Sequence, residues 1–188
     1  MPAEVLGHAT LGALFRYWDR QRNERAMPAR RDIDPIEMGP KLLPHLMLCE
    51  LADRGHRIRF RLVGTFLVKR LGYDPTGQWL ADLPRSDYLD FLAKMLRQTY
   101  TESAPFFAAS SFRWGVKGRL DAQHLMLPLT TGGGEPSMVL IGIAYASHEV
   151  FPPQIRVLDS LARHSGGARE LVDFAPPDWP ESKSVKIA

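Results

Sequence analysis

The side chains able to act as nucleophiles, bases or metal ligands are few and scattered. There are six histidines, His8, His45, His56, His124, His148 and His164, and a single cysteine, Cys49. Metal centres draw on ligands at i, i+4 or alternating positions. No two of these histidines stand so, and one cysteine does not build a structural zinc site. Asp87 and Asp90 lie three residues apart and would share a helical face, as paired carboxylates for proton transfer could. They also open the clearest helical pattern in the chain, where the helix dipole favours acids in any case. The glycine-rich "TTGGGEP" lacks the Gly-Lys-Ser/Thr that completes a phosphate-cradling loop, and it joins two strand-like runs as a hairpin would. "GTFLVKRLG" lacks the Gly-x-Gly of a dinucleotide turn. With no acid–base or nucleophile constellation in view, the chain is read as a non-enzyme.

Charge offers a second chemistry. The net charge is +3, and the basic residues are clustered: Arg16, Arg20, Arg22, Arg25, Arg30 and Arg31 crowd one segment, and Arg57, Arg59 and Arg61 one strand. Such clusters can mark a phosphate-binding surface. Asp19, Glu24, Asp32 and Asp34 are interspersed with the first group, which suits a solvated, self-neutralised face. Nucleic-acid binding is therefore an alternative, not the leading expectation.

A hydrophobic content of 45% and a charged content of 24% are those of a globular domain with a substantial core. No apolar run approaches the ~20 residues of a membrane span, the N-terminus lacks the basic n-region of a signal peptide, and the lone cysteine suits a reducing compartment. Cytoplasm is the expected location.

The elements that must position any site follow from periodicity. Leu11, Leu14, Phe15 and Trp18 form one helical stripe, with Thr10 as the expected N-cap and Pro28 as the stop. Asp34 caps a short helix opened by Pro35. "HLMLCEL" and "HRIRFRLVG" read as a hairpin across "ADRG", with Ile58, Phe60 and Leu62 facing one way and Arg57, Arg59 and Arg61 the other. A short helix runs over 65–71, capped by Thr65 and closed by Gly72, and a longer one over 86–103 begins at Ser86. Three more strands follow, "PFFAASSFRW", "RLDAQHLMLPL" and "SMVLIGIAYA". The last is apolar throughout, as a central strand is. A final helix is predicted over 153–172, then a proline-rich mobile tail. The fold class is α+β: a five-stranded antiparallel sheet with helices on one face, plus N- and C-terminal helices. The organisation expected is 1–34 (N-terminal helix and linker), 35–148 (domain) and 149–188 (C-terminal helix and tail).

This order, with "FRLVGTFLVKRLGYDPTG" at the second strand and first inserted helix, resembles a PAS domain. There a strand runs into a helix ending in Gly-Tyr, here Gly72-Tyr73, and a later glycine, here Gly77, closes the turn. The run "YWDRQRNERAMPARRDIDPIEM", the Leu-Pro before the first strand and "RFRLVGT" are similar to a family of small standalone bacterial PAS-like proteins. The resemblance covers about residues 14–147. It implies a sensory or regulatory protein that binds a small molecule, a signalling partner or both, with output in trans because no effector segment follows in this sequence. It also implies a cavity between sheet and helices, for which Phe66, Leu67, Leu71, Tyr73, Met95 and Leu96 are candidates. Trp79, in the loop that lines the cavity in PAS domains, is another candidate beside its reading as core. His124 and Met126, also pocket candidates, share one strand face and Gln123 shares the other with Leu125 and Leu127, so a polar side chain must point among apolar ones, either as a satisfied core or edge group or as a ligand contact. Arg113 and Trp114 flank either a pocket mouth or a solvent rim. Haem is disfavoured because the longer helix has no histidine, and photoactive flavin because residues 65–72 have no cysteine. The Leu11, Leu14, Phe15, Trp18 stripe packs either on the domain's own sheet or, as in many PAS dimers, on a second chain. A homodimer through this helix is expected. A scaffold or adaptor with a filled core is the alternative from another class.

Overall fold

The computed structural model of the chain describes residues 8–113, 119–132, 134–145, 154–157 and 169–170. The helices are α1 (Ala9–Arg22), α2 (Pro35–Met38), α3 (Thr65–Leu71) and α4 (Asp87–Glu102). The strands are β1 (Leu46–Ala52), β2 (Arg57–Val63), β3 (Phe106–Arg113), β4 (Arg119–Leu129), β5 (Met138–Tyr145), β6 (Gln154–Val157) and β7 (Arg169–Glu170). They form one sheet in the order β2-β1-β5-β4-β3-β6-β7, and every pairing is antiparallel. The five predicted strands and the α+β class are present, and β5, apolar along its length, is flanked by β1 and β4. The helix predicted from residue 153 is not formed where the chain is described. Gln154–Val157 instead pairs with the edge of β3, where the β-branched Ile155 and Val157 suit a pleated surface and β3 offers unpaired backbone groups. The remainder of that predicted helix, the tail and Trp114 lie outside the described residues.

Local chemistry explains the helix ends. Ser86 Oγ accepts the Leu89 N–H at the start of α4, and Asp34 Oδ1 the Ile36 N–H at the start of α2. Gly72 closes α3 at φ +83°, a left-handed conformation that glycine adopts without steric cost. Three expectations are corrected. His8, not Thr10, caps α1, its Nδ1 accepting the Thr10 N–H. That helix ends at a left-handed Asn23, well before Pro28. Thr65 lies inside α3, whose N-cap position is Gly64 with no side-chain bond.

Two apolar layers sandwich the sheet. On one face Met47, Cys49, Ile58, Phe60, Met126, Ile141 and Ile143 meet Leu67 of α3 and Leu89, Leu92 and Leu96 of α4. On the other, Leu46, Leu48, Leu125, Leu127 and Leu140 meet Leu11, Leu14, Phe15 and Trp18 of α1. The α1 stripe is therefore used within the chain. Its four side chains are between 0% and 3% exposed, and the indole N–H of Trp18 donates to the Pro128 carbonyl at 2.9 Å. The expectation that this stripe meets a second copy is corrected, because the second sheet face is as apolar as the first and must itself be covered. Gly142, inside the apolar run of β5, leaves room for two leucines of the helix. A Cβ there would lie 2.5 Å from Leu14 Cδ2 and 3.0 Å from Leu11 Cδ2.

The hairpin departs from simple alternation at one point. Register slips between Leu48 and Cys49, so Val63 takes the buried position and Leu62 turns outward to 42% exposure. A bulge reverses the facing of every residue beyond it. The outer edge of β2 is covered in turn. Phe60 N–H donates to the Gln78 carbonyl at 3.0 Å and Gly77 N–H to the Phe60 carbonyl at 2.7 Å, so the "GYDPTGQW" segment returns along the strand and protects it from pairing with another chain.

Candidate functional site

The layer between the sheet and α3–α4 holds the polar side chains that apolar packing does not call for. His124, centred on β4 opposite Ala108 and Ile143, is fully buried. Its ring lies edge-on to Phe91 at 5.1 Å and tilted to Tyr88 at 5.8 Å. Burial pushes its pKa down to about 3, so the imidazole is neutral at physiological pH. Burial likewise holds the Tyr88 phenol well above its usual value, with smaller contributions from Tyr145, Cys49 and Tyr73, and it raises the Cys49 thiol. Toward the α3 end the lining becomes aromatic and cationic: His45 is tilted against Phe66 at 4.4 Å, Phe66 is tilted against Tyr145 at 5.8 Å, and the Arg70 guanidinium lies over Phe66 at 5.5 Å and Tyr145 at 5.3 Å.

Of the residues singled out in the sequence, Leu67, Met95, Leu96 and Met126 share the buried cluster around His124, and Phe66 and Leu71 pack against it. Tyr73 is 41% exposed and lies beyond the C-terminal end of α3. Trp79 is neither core nor interior lining: it bridges to Arg59 at the β2 edge, with the Arg57 guanidinium over its indole at 4.1 Å and that of Arg59 at 5.6 Å. The sequence reading missed Tyr88, Phe91, His45, Arg70 and Tyr145. Tyr88 and Phe91 were accessible, since they share a helical face with Leu92 and Met95, whereas Tyr145 and Arg70 meet only through tertiary packing. Gln123 is also buried, on the α1 side, and its Oε1 meets no donor among the described residues. Both alternating polar side chains of β4 are thus enclosed, because both sheet faces are covered.

Two surface grooves are found outside this layer. One of about 390 Å³ lies between α1 and the segment from Glu37 to Leu42, and one of about 180 Å³ lies beside Trp79 and Ile58. Much of the N-terminal arginine cluster is engaged in holding the fold: Arg22 pairs with Asp19 at 2.6 Å and Arg25 with Asp32 at 2.7 Å. On the hairpin, Arg61 stands 3.6 Å from Glu50. Among the described residues no three His, Cys, Asp or Glu side chains gather as a metal-ligand set, and no helix is long and apolar enough to cross a membrane.

The depressed His124 pKa makes stability depend on pH with a definite sign. Unfolded imidazole titrates near 6.5, so below that pH the unfolded chain binds a proton that the folded one does not. The His124 contribution is complete above about pH 6.5 and falls by about 1.4 kcal/mol per pH unit as pH drops toward 3. Chemical denaturation between pH 7 and pH 4 should therefore show a shallower loss of stability in His124→Phe than in the wild type. Parallel slopes would mean that the imidazole is not held neutral.

A single antiparallel sheet, with two helices inserted after its second strand to enclose a partly polar layer, defines an α+β module. A family model for the PAS domain matches residues 6–144, and the chain belongs to that family. The match includes α1, in keeping with the packing of that helix on the sheet. Comparisons with curated proteins and with solved structures found no match.

Proposed function

We propose that this PAS domain is a sensory or regulatory module, not a catalyst, and that it takes a small molecule between the sheet and α3–α4 and passes the change to a partner protein. The observation that carries this reading is the enclosure of His124 and Tyr88 in an otherwise apolar layer. A ligand with its own donors and acceptors would meet both polar and apolar side chains in such a layer, the mixed lining typical of small-molecule sites. The element that yields to admit it is α3, which has one fully buried residue, Leu67, in seven and rests mainly on the Leu43–His45 turn. A ligand favouring the displaced position shifts the population toward it.

Native mass spectrometry of freshly purified protein, followed by melting curves with a panel of aromatic and carboxylated metabolites, tests the proposal. A ligand at a hundred times its Kd adds about 2.7 kcal/mol, roughly 5–10 °C for a chain of this size, and His124→Phe should abolish most of that shift. A specific observation supports a second reading: Leu67, Met95, Leu96 and Met126 are at most 2% exposed within one apolar cluster, as in an adaptor that works through its surface. An empty mass spectrum with no compound moving the melting temperature would favour the adaptor. The homodimer implied by the PAS resemblance is proposed to use a face other than the Leu11–Trp18 stripe, and sedimentation at high micromolar concentration reads it.

A further inference from the structure

The larger surface groove carries an inference independent of the interior layer. Its walls are one face of α1, where Ala13, Arg16, Tyr17 and Arg20 follow at i, i+3, i+4 and i+7, and Glu37, Met38 and Leu42 opposite. Its volume of about 390 Å³ falls within the range of small-molecule sites, about 300–1,000 Å³. The walls are fixed to each other. The Tyr17 hydroxyl accepts the Asp34 N–H at 2.7 Å and donates to the Asp34 carbonyl at 3.2 Å, tying α1 to the start of α2. Most polar groups in the groove already have partners: Glu37 accepts from Gln21 at 2.8 Å and stands 3.6 Å from Arg20, and Arg20 also lies over the Tyr17 ring at 5.5 Å. Arg16 differs. It is exposed, and no described carboxylate lies within ion-pair distance of it. Among the described residues, what is left for a ligand to meet is the Arg16 guanidinium beside the apolar surface of Ala13, Met38 and Leu42.

We propose that this groove binds a small organic carboxylate with an apolar body, its carboxylate paired with Arg16 and its body lying along Ala13, Met38 and Leu42. A guanidinium offers a carboxylate two parallel N–H donors, and the apolar wall adds affinity in proportion to the area covered. Neutral or cationic molecules of the same shape lose the first contribution.

The test is a chemical-shift titration of the isotope-labelled full chain with decanoate, and with decanol and decyltrimethylammonium as matched controls. Saturable shifts confined to residues 13–20 and 37–42 are expected, with decanoate at least tenfold tighter than decanol and the cation weakest. Arg16→Gln, at an exposed position that leaves the core untouched, should abolish the preference for decanoate over decanol, and Arg16→Lys should restore part of it. Ala13→Phe, which fills the groove, should weaken decanoate and decanol alike. The proposal is overturned if decanoate binds no better than decanol, if Arg16→Gln leaves the preference intact, or if the shifts fall in the sheet–α4 layer or scatter over the surface.

Discussion

Replacing Trp18 by alanine should destabilise the chain by about 3–5 kcal/mol, the range for a fully buried aromatic truncated in a packed core. The loss should exceed that of the other α1 stripe positions for two reasons. The indole is fully buried between helix and sheet, so its removal leaves a cavity. Its N–H is also the donor to the Pro128 carbonyl at 2.9 Å, and a buried acceptor deprived of its partner costs a further ~1–3 kcal/mol. At roughly 2–4 °C per kcal/mol for a chain of this size, the melting temperature should fall by about 6–20 °C. Trp18→Phe keeps most of the volume and loses the bond, so it should cost about 1–2 kcal/mol and fold well enough to be measured if the alanine variant does not. The protein concentration is part of the measurement. Since α1 packs on its own sheet, the loss should be the same at 1 µM and at 100 µM, whereas a helix packed on a second copy would make it concentration-dependent.

Gly64→Ala should be the most damaging single-methyl change, at about 3 kcal/mol, the upper end of ordinary overpacking. The backbone of Gly64 is unremarkable, with φ −64° and ψ 150°, so alanine suffers no conformational penalty there. The obstacle is space. An added Cβ would press on the Pro44 carbonyl oxygen and lie 2.5 Å from that of Leu43, and both are backbone atoms that cannot rotate away. Gly72→Ala is the matched control, since its Cβ would meet nothing within 4 Å and only the φ of +83° opposes it, worth about 1–2 kcal/mol. Equal losses at the two sites in denaturant titrations would show that the Leu43–Pro44 turn gives way freely.

These two residues also show what a sequence discloses. Trp18 was legible as part of a helical stripe, because spacing at i, i+3, i+4, i+7 leaves little choice. The partner of that stripe was not, since "own sheet" and "second chain" satisfy the same periodicity. Gly64 was legible as punctuation between a strand and a helix, but its cause is a carbonyl twenty residues upstream. Leu62 was assigned to the wrong side because a bulge is a pairing event, invisible in either strand alone. The Ile155, Leu158, Leu161 spacing suits a helix, while at residues 154–157 the open edge of β3 decides the outcome. At the candidate site, strand parity requires that one of Gln123 and His124 point among apolar side chains without saying which, and both are buried. The neighbours that give the site its character, Tyr88, Tyr145 and Arg70, come from three elements brought together by the fold, and Trp79 lies outside because the strand edge needed covering.

His124 and Gln123 are adjacent in sequence, yet each is buried in a different layer. The sheet is thus a septum between two compartments, and β4 is a wall common to both. Met126 closes one compartment, while Leu125 and Leu127 support α1 in the other. Close-packed interiors have no slack in which a small displacement can be absorbed. A strand moved from the α4 side must therefore carry its alternate side chains with it, and the N-terminal helix, on the far side of the wall from any interior ligand, is the element seated on them.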